Sequence, residues 1–162
     1  MMSFSVWQAL CRNTHHHFNM SESTFSEVLT GLIAEAGVTS KMLASEIGVA
    51  IETLNGWRRG DHGVRLSNLV LLCRYFECSL DYLVGKRASD VTPSKFELKN
   101  FGEQVRRVMK SKSVTTYALR KETHFTSRNL HDWDNGADPQ LGTLIELADY
   151  LRCTLDELVG LE

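Results

Sequence analysis

Two related stretches hold the residues best suited to recognition chemistry: Val49 to Gly60, and Phe125 to Gly136. In each, a Leu is followed three residues later by a Trp, and a Gly closes the run: Leu54, Trp57 and Gly60, then Leu130, Trp133 and Gly136. Leu and Trp at that spacing share one helical face, and a Gly after the last turn suits a C-cap. The opposite face is polar and differs between the copies, as expected of a short helix fixed by packing on one side and free to read a partner on the other. Covalent and metal chemistry find little support. Cys11, Cys73, Cys78 and Cys153 form no C-x-x-C pair, and Cys78 and Cys153 sit beside apolar residues, as small buried hydrophobes do. His15, His16 and His17 are adjacent, so they do not share a helix face and read as a solvated turn. No Gly-rich phosphate loop, metal-ligand spacing or nucleophile–base pair is apparent. The expectation is a protein that is not an enzyme and carries no cofactor or metal.

The elements that must position these stretches are short helices. In residues 1–23, Phe4, Trp7, Leu10 and Cys11 have helical spacing, and Met20 resembles a second start. Thr24 and Glu27 fit a capping box, which predicts a helix from Thr24 to about Ala36 with Phe25, Val28, Leu29, Leu32 and Ile33 inward. Thr39 caps a helix over Ser40–Ile47, and Gly48 permits a tight turn at positive φ. The first Leu/Trp stretch is the third helix, Leu66 begins a fourth, and Ser79 caps a fifth over Leu80–Val84. Lys86 to Lys95 is polar and lacks periodicity, as a linker does. The pattern then restarts. Asn100 and Glu103 form a capping box, Thr115 caps Thr116–Thr123, Thr126 caps the second Leu/Trp helix, Leu141 begins the fourth helix, and Thr154 caps the last.

The restart is an internal duplication. Phe25 aligns with Phe101 and the register holds to Gly60 and Gly136; after one deletion it runs from Leu66 and Leu141 to Gly85 and Gly160. Roughly a third of the aligned positions are identical, and Leu80-Asp81-x-Leu83-Val84-Gly85 matches Leu155-Asp156-x-Leu158-Val159-Gly160.

Composition is that of an ordinary globular protein, with 43% hydrophobic and 23% charged residues and a formal net charge of −2. No apolar run is long enough for a bilayer and no secretory signal is seen, so a cytoplasmic protein with no membrane partner is expected. The near-neutral charge gives no gross pull on polyanions, so any nucleic-acid contact needs a locally basic face.

In each unit the second and third helices form a helix-turn-helix. Through Val38-Thr39, Leu43-Ala44, Ile47-Gly48-Val49, Leu54, Trp57, Gly60, Leu66, Leu69, Leu80-Asp81 and Leu83, the first unit resembles the phage-repressor helix-turn-helix domains of the Cro-like or xenobiotic-response-element (XRE) family. The resemblance covers about residues 24–85 and 100–160. It implies an all-α chain of two tandem five-helix domains: an N-terminal extension (1–23), domain 1 (24–86), a linker (87–99) and domain 2 (100–162). Some positions depart from the family pattern. The Gln common at the start of the second helix is Ser40 and Thr116, the small residue of that helix is Arg120 in unit 2, and the turn Gly is His124. A β-carbon at positive φ is strained, so the second turn is expected to be altered.

The resemblance implies a sequence-specific regulator of transcription, a repressor of phage or mobile-element type, with a double-stranded DNA operator as partner. The third helix enters the major groove and the second crosses the backbone. Carried over by position, Ile51, Glu52, Asn55 and Arg58, with Arg59 just beyond, face the bases in unit 1, and Ser40 and Lys41 lie near phosphate. In unit 2 the counterparts are Ser127, Arg128, His131 and Asp132, with Asn135 beyond, and Thr116 and Tyr117 lie near phosphate. Asn suits adenine, Arg suits guanine or phosphate, and Glu accepts from cytosine. Asp132 and Asp134 oppose a phosphate-lined groove. They favour the alternative in which one unit binds a protein partner, as in an antitoxin or inhibitor. Two linked units suggest a pseudo-dimer on adjacent half-sites, in inverted or direct arrangement. Extended at about 3.3 Å per residue, the linker reaches across the roughly 34 Å between half-sites one turn apart. The fourth helix of unit 1 is apolar nearly all round (Val70, Leu71, Cys73, Tyr75, Phe76), so the N-terminal segment or a second chain must cover it, and a homodimer is favoured.

Overall fold

In the computed structural model, residues 20–86 and 92–161 are described, with side chains from residue 24 onward. The expectations for Phe4, Trp7, Leu10, Cys11 and His15–His17 lie outside them. Unit 1 comprises α1 (Met20–Ala36), α2 (Ser40–Ile47), α3 (Ile51–Arg59), α4 (Leu66–Phe76) and α5 (Leu80–Leu83). Unit 2 comprises α6 (Phe101–Ser111), α7 (Thr116–Glu122), α8 (Ser127–Asp134), α9 (Leu141–Leu151) and α10 (Leu155–Val159). Among the described residues the fold is all-α, with one isolated antiparallel bridge between Arg65 and Gln140.

Local chemistry sets most helix ends. The side chains of Thr39, Ser79, Asn100, Thr115, Thr126 and Thr154 accept the first free backbone N–H groups of their helices, as N-caps do. Gly48, Gly60 and Gly160 end helices in the left-handed conformation. One expected start is corrected: α1 begins at Met20, so Thr24 lies inside the helix and is not its N-cap. Nothing in Ser21-Glu22-Ser23 resists helix, so the pattern at Thr24 and Glu27 does not stop propagation upstream.

The altered turn expected in unit 2 is present. Gly48 has φ 73°, whereas His124 is absent from the positive-φ residues. Thr123 is extended there, and its hydroxyl donates to the Leu119 carbonyl at 2.6 Å and accepts from the Phe125 N–H at 3.1 Å. A side-chain bridge thus replaces the glycine turn.

The buried residues of both units form one continuous core. Against α4, Val70 and Cys73 are buried and Leu71, Tyr75 and Phe76 are half-buried on the core. Part of the cover comes from the end of the linker, where Phe96 packs on the core and its carbonyl accepts from Arg74 at 2.7 Å. The linker is therefore laid against its own chain over this part.

The units meet through reciprocal contacts. The Leu66 N–H donates to the Pro139 carbonyl and the Leu141 N–H to the Val64 carbonyl, both at 2.9 Å. The Asp156 carboxylate accepts from the N–H groups of Leu80 (2.9 Å) and Asp81 (3.1 Å). The Asp81 carboxylate accepts from those of Leu155 (3.2 Å) and Asp156 (3.1 Å). Helix α1 packs on α9, and Lys86 pairs with Asp149 at 2.6 Å.

Candidate nucleic-acid interface

Each Leu/Trp helix is held by its apolar side. Leu54 and Trp57 are buried on α3, as are Leu130 and Trp133 on α8. In unit 2, Trp133 meets Phe101 and Phe125 edge-on, with ring centroids 5.3 and 5.5 Å away, arrangements that favour aromatic pairs. The tryptophans are core residues. The opposite face carries the polar side chains.

In unit 1, Lys41, Glu52 and Arg59 are exposed and Asn55 is half-buried. Arg59 pairs with Asp61 at 2.5 Å, an exposed contact that a stronger anion can displace. Two residues expected on this face are placed differently. Ile51 is half-buried and packs on the core, because an apolar first-turn residue gains more from burial than from water. Arg58 is half-buried and donates to the Ser40 hydroxyl at 2.7 Å. It thus braces the start of α2 against the end of α3, while its carbonyl accepts from the Ser26 hydroxyl. Ser40, expected near phosphate, is the other end of this brace.

In unit 2, Tyr117, Ser127, Arg128, His131 and Asn135 are exposed and Thr116 is half-buried. Tyr117 is 71% exposed, a degree unusual for so large a ring, and Lys121 lies 6.0 Å from its centre. Arg120, aligned with the buried Ala44, is exposed, so its charge remains in water. Asn135 donates to the His131 carbonyl at 2.7 Å and lies 3.2 Å from His131 Nε2, which orders both on the last turn of α8.

The two carboxylates of α8 each face an arginine. Arg106 of α6 grips Asp134 through two hydrogen bonds, of 2.6 and 3.1 Å. They hold the Asp134 carboxyl below its usual range and raise the guanidinium. Arg128 Nε lies 3.6 Å from Asp132 one turn on. Asp134 aligns with Arg58, so the same position is clamped in both units, by α2 in one and by α6 in the other. Sequence reasoning missed the Arg106 clamp, because helical spacing within α8 carries no signal of a partner on α6.

Gly56 and Gly102 mark close approaches. A β-carbon on Gly56 would fall 2.1 Å from His62 Cδ2, so the glycine leaves a notch in α3 for that ring. A β-carbon on Gly102 would lie 2.5 Å from the Asp134 nitrogen, so α6 and α8 touch there through backbone. Cys73 and Cys78 are buried. Burial pushes the half-buried Cys153 thiol up to about 11. Among the described residues, no group of three His, Cys, Asp or Glu side chains could hold a metal, and no helix is long and apolar enough to cross a membrane.

Residues 32–83 match a family of helix-turn-helix domains, and residues 104–162 match the Cro/C1-type HTH DNA-binding domain family. No curated protein and no solved structure matches the chain. The chain carries two helix-turn-helix domains in tandem, XRE-like and of Cro/C1 type. It is a DNA-binding regulator.

Proposed function

We propose that the chain is a sequence-specific repressor of transcription, of phage or mobile-element type, that acts in the cytoplasm. Residues 24–86 and 100–162 are its two reading domains. Helices α3 and α8 enter the major groove of double-stranded DNA. Glu52, Asn55 and Arg59 read or anchor one half-site, and Ser127, Arg128, His131 and Asn135 the other. Lys41, Thr116 and Tyr117 lie toward phosphate. Arg58 and Ser40 act by fixing the angle between α2 and α3. The observation that carries this reading is the division of each Leu/Trp helix into a buried apolar side and an exposed polar side.

The rival reading, a protein-binding second unit, drew its force from Asp132 and Asp134. Both carboxylates face arginines, which offsets the repulsion that a phosphate-lined groove would exert. DNA binding by both units is therefore the better supported reading.

Selection of bound duplexes from a random pool tests it, repeated with Asn55→Ala and Arg128→Ala. The expected result is one enriched sequence, with each variant losing preference at a separate cluster of positions. Absence of any enriched sequence overturns it.

A further inference from the structure

We infer that a single chain, as a monomer, fills a whole operator whose two unlike half-sites run in opposite directions. This deepens the major-groove reading proposed above and rests on it. The observation behind it is the exchange symmetry of the backbone and aspartate contacts between the units, around which the α1–α9 packing and the bonds of Lys86 to Asp149 and of Ser67 to Asp138 are one-sided additions. Leu66 aligns with Leu141 and Val64 with Pro139. The bond from the Leu66 N–H to the Pro139 carbonyl therefore becomes, with the units exchanged, the bond from the Leu141 N–H to the Val64 carbonyl. Leu80 and Asp81 align with Leu155 and Asp156, and each aspartate caps the other's helix. Arg65 donates to the Asp138 carbonyl at 3.1 Å, and the aligned Gln140 reaches Gly63, whose β-carbon position lies 3.2 Å from Gln140 Oε1.

Contacts in which i meets j and j meets i are the signature of a two-fold axis. A head-to-tail arrangement would instead join unlike surfaces and leave one of each unused. The units are thus related by rotation, and the surface that would join two identical chains is used up inside one.

This pairing also governs the reading helices. The paired segments around Arg65 and Gln140 follow α3 and α8 after only a few residues, past Gly60 and Gly136. Helices tied so closely to the axis inherit its symmetry. A two-fold protein matches a two-fold site, so the half-sites are inverted repeats. Because Asn55 is replaced by His131, Glu52 by Arg128 and Arg59 by Asn135, the halves differ in sequence. An identical-subunit dimer cannot distinguish its two halves; this chain can, so it binds its operator in one polarity.

The test uses the full chain and the duplex recovered by selection from a random pool. Three duplexes are compared: the selected one, one with a half-site reversed in place, and one with about five base pairs, half a turn, inserted between the halves. Mass measurement of the intact complex should show one chain per duplex at saturation. Reversal and insertion should each weaken binding by about tenfold or more, the first because it mismatches several base pairs, the second because it turns one half-site to the opposite face of the duplex. Two chains per duplex, or unchanged affinity after reversal or insertion, overturns the inference while leaving major-groove reading intact. A selection that enriches no sequence overturns both.

Discussion

Replacing Asp156 tests the joint between the units directly. Its carboxylate accepts from the backbone N–H groups of Leu80 and Asp81, and Leu80 is fully buried. Burial pushes the Asp156 carboxyl up to about 7. A hydrogen bond to Asp81 adds to the rise, against the two backbone donors, which lower it. An unfolded aspartate titrates near 3.9. Between about pH 4 and 7 the folded chain therefore holds a proton that the unfolded chain has lost. This contribution to stability is complete below about pH 4 and is lost as the pH rises through about 7. Asp156→Ala leaves two donors without an acceptor, at about 1–3 kcal/mol each, or about 2–6 kcal/mol in all. At about 2–4 °C per kcal/mol for a chain of this size, Tm should fall by roughly 5–20 °C at pH 5. The loss should be smaller at pH 8, where removing one carboxylate also relieves repulsion with Asp81. Asp156→Asn cannot titrate: its amide oxygen still accepts from the Leu80 N–H and its NH2 can donate to the Asp81 carboxyl group, but it no longer accepts from the Asp81 N–H. Its Tm should vary less between pH 5 and 8 than that of the wild type. Thermal melts followed by circular dichroism read both variants. An Ala variant as stable as wild type at pH 5, or an Asn variant with the wild-type pH slope, would refute a protonated Asp156 at the joint between the units.

Glycine substitutions should separate two kinds of close approach. Gly102→Ala meets the backbone of Asp134, which cannot rotate away, and should cost about 1–3 kcal/mol in denaturant unfolding. Gly56→Ala meets only the ring of the exposed His62; the ring can swing out, and the gain in helix propensity should leave stability unchanged or raised by up to about 1 kcal/mol. Arg106→Ala removes an exposed ion pair and should change stability by less than about 1 kcal/mol. It also uncovers the Asp134 charge, so the half-site read by α8 should be bound more weakly in a footprint while the other half persists. Lys41→Ala should weaken binding to all sequences alike and make the slope of log K against log salt shallower by about 1, as measured by fluorescence anisotropy.

Local pattern determined much of this protein. Thr39, Ser79, Asn100, Thr115, Thr126 and Thr154 cap the helices expected of them, because an N-cap is a contact between residues three apart and needs nothing distant. Leu54 with Trp57, and Leu130 with Trp133, announced the buried side of each reading helix for the same reason. Thr24 misled because a capping sequence permits a helix start without forbidding the helix from continuing upstream. Tertiary structure alone decided the rest. Arg58 faces the bases by its position in the motif the unit resembles, but the Ser40 hydroxyl lies within its reach. Asp134 looked hostile to DNA until Arg106 arrived from another helix. The duplication was legible in the sequence, but identities at matched positions are the same for rotated and translated copies. The exchanged bonds of Leu66 and Leu141 and of Asp81 and Asp156 select the rotation, because orientation is a property of contacts between residues far apart in the chain.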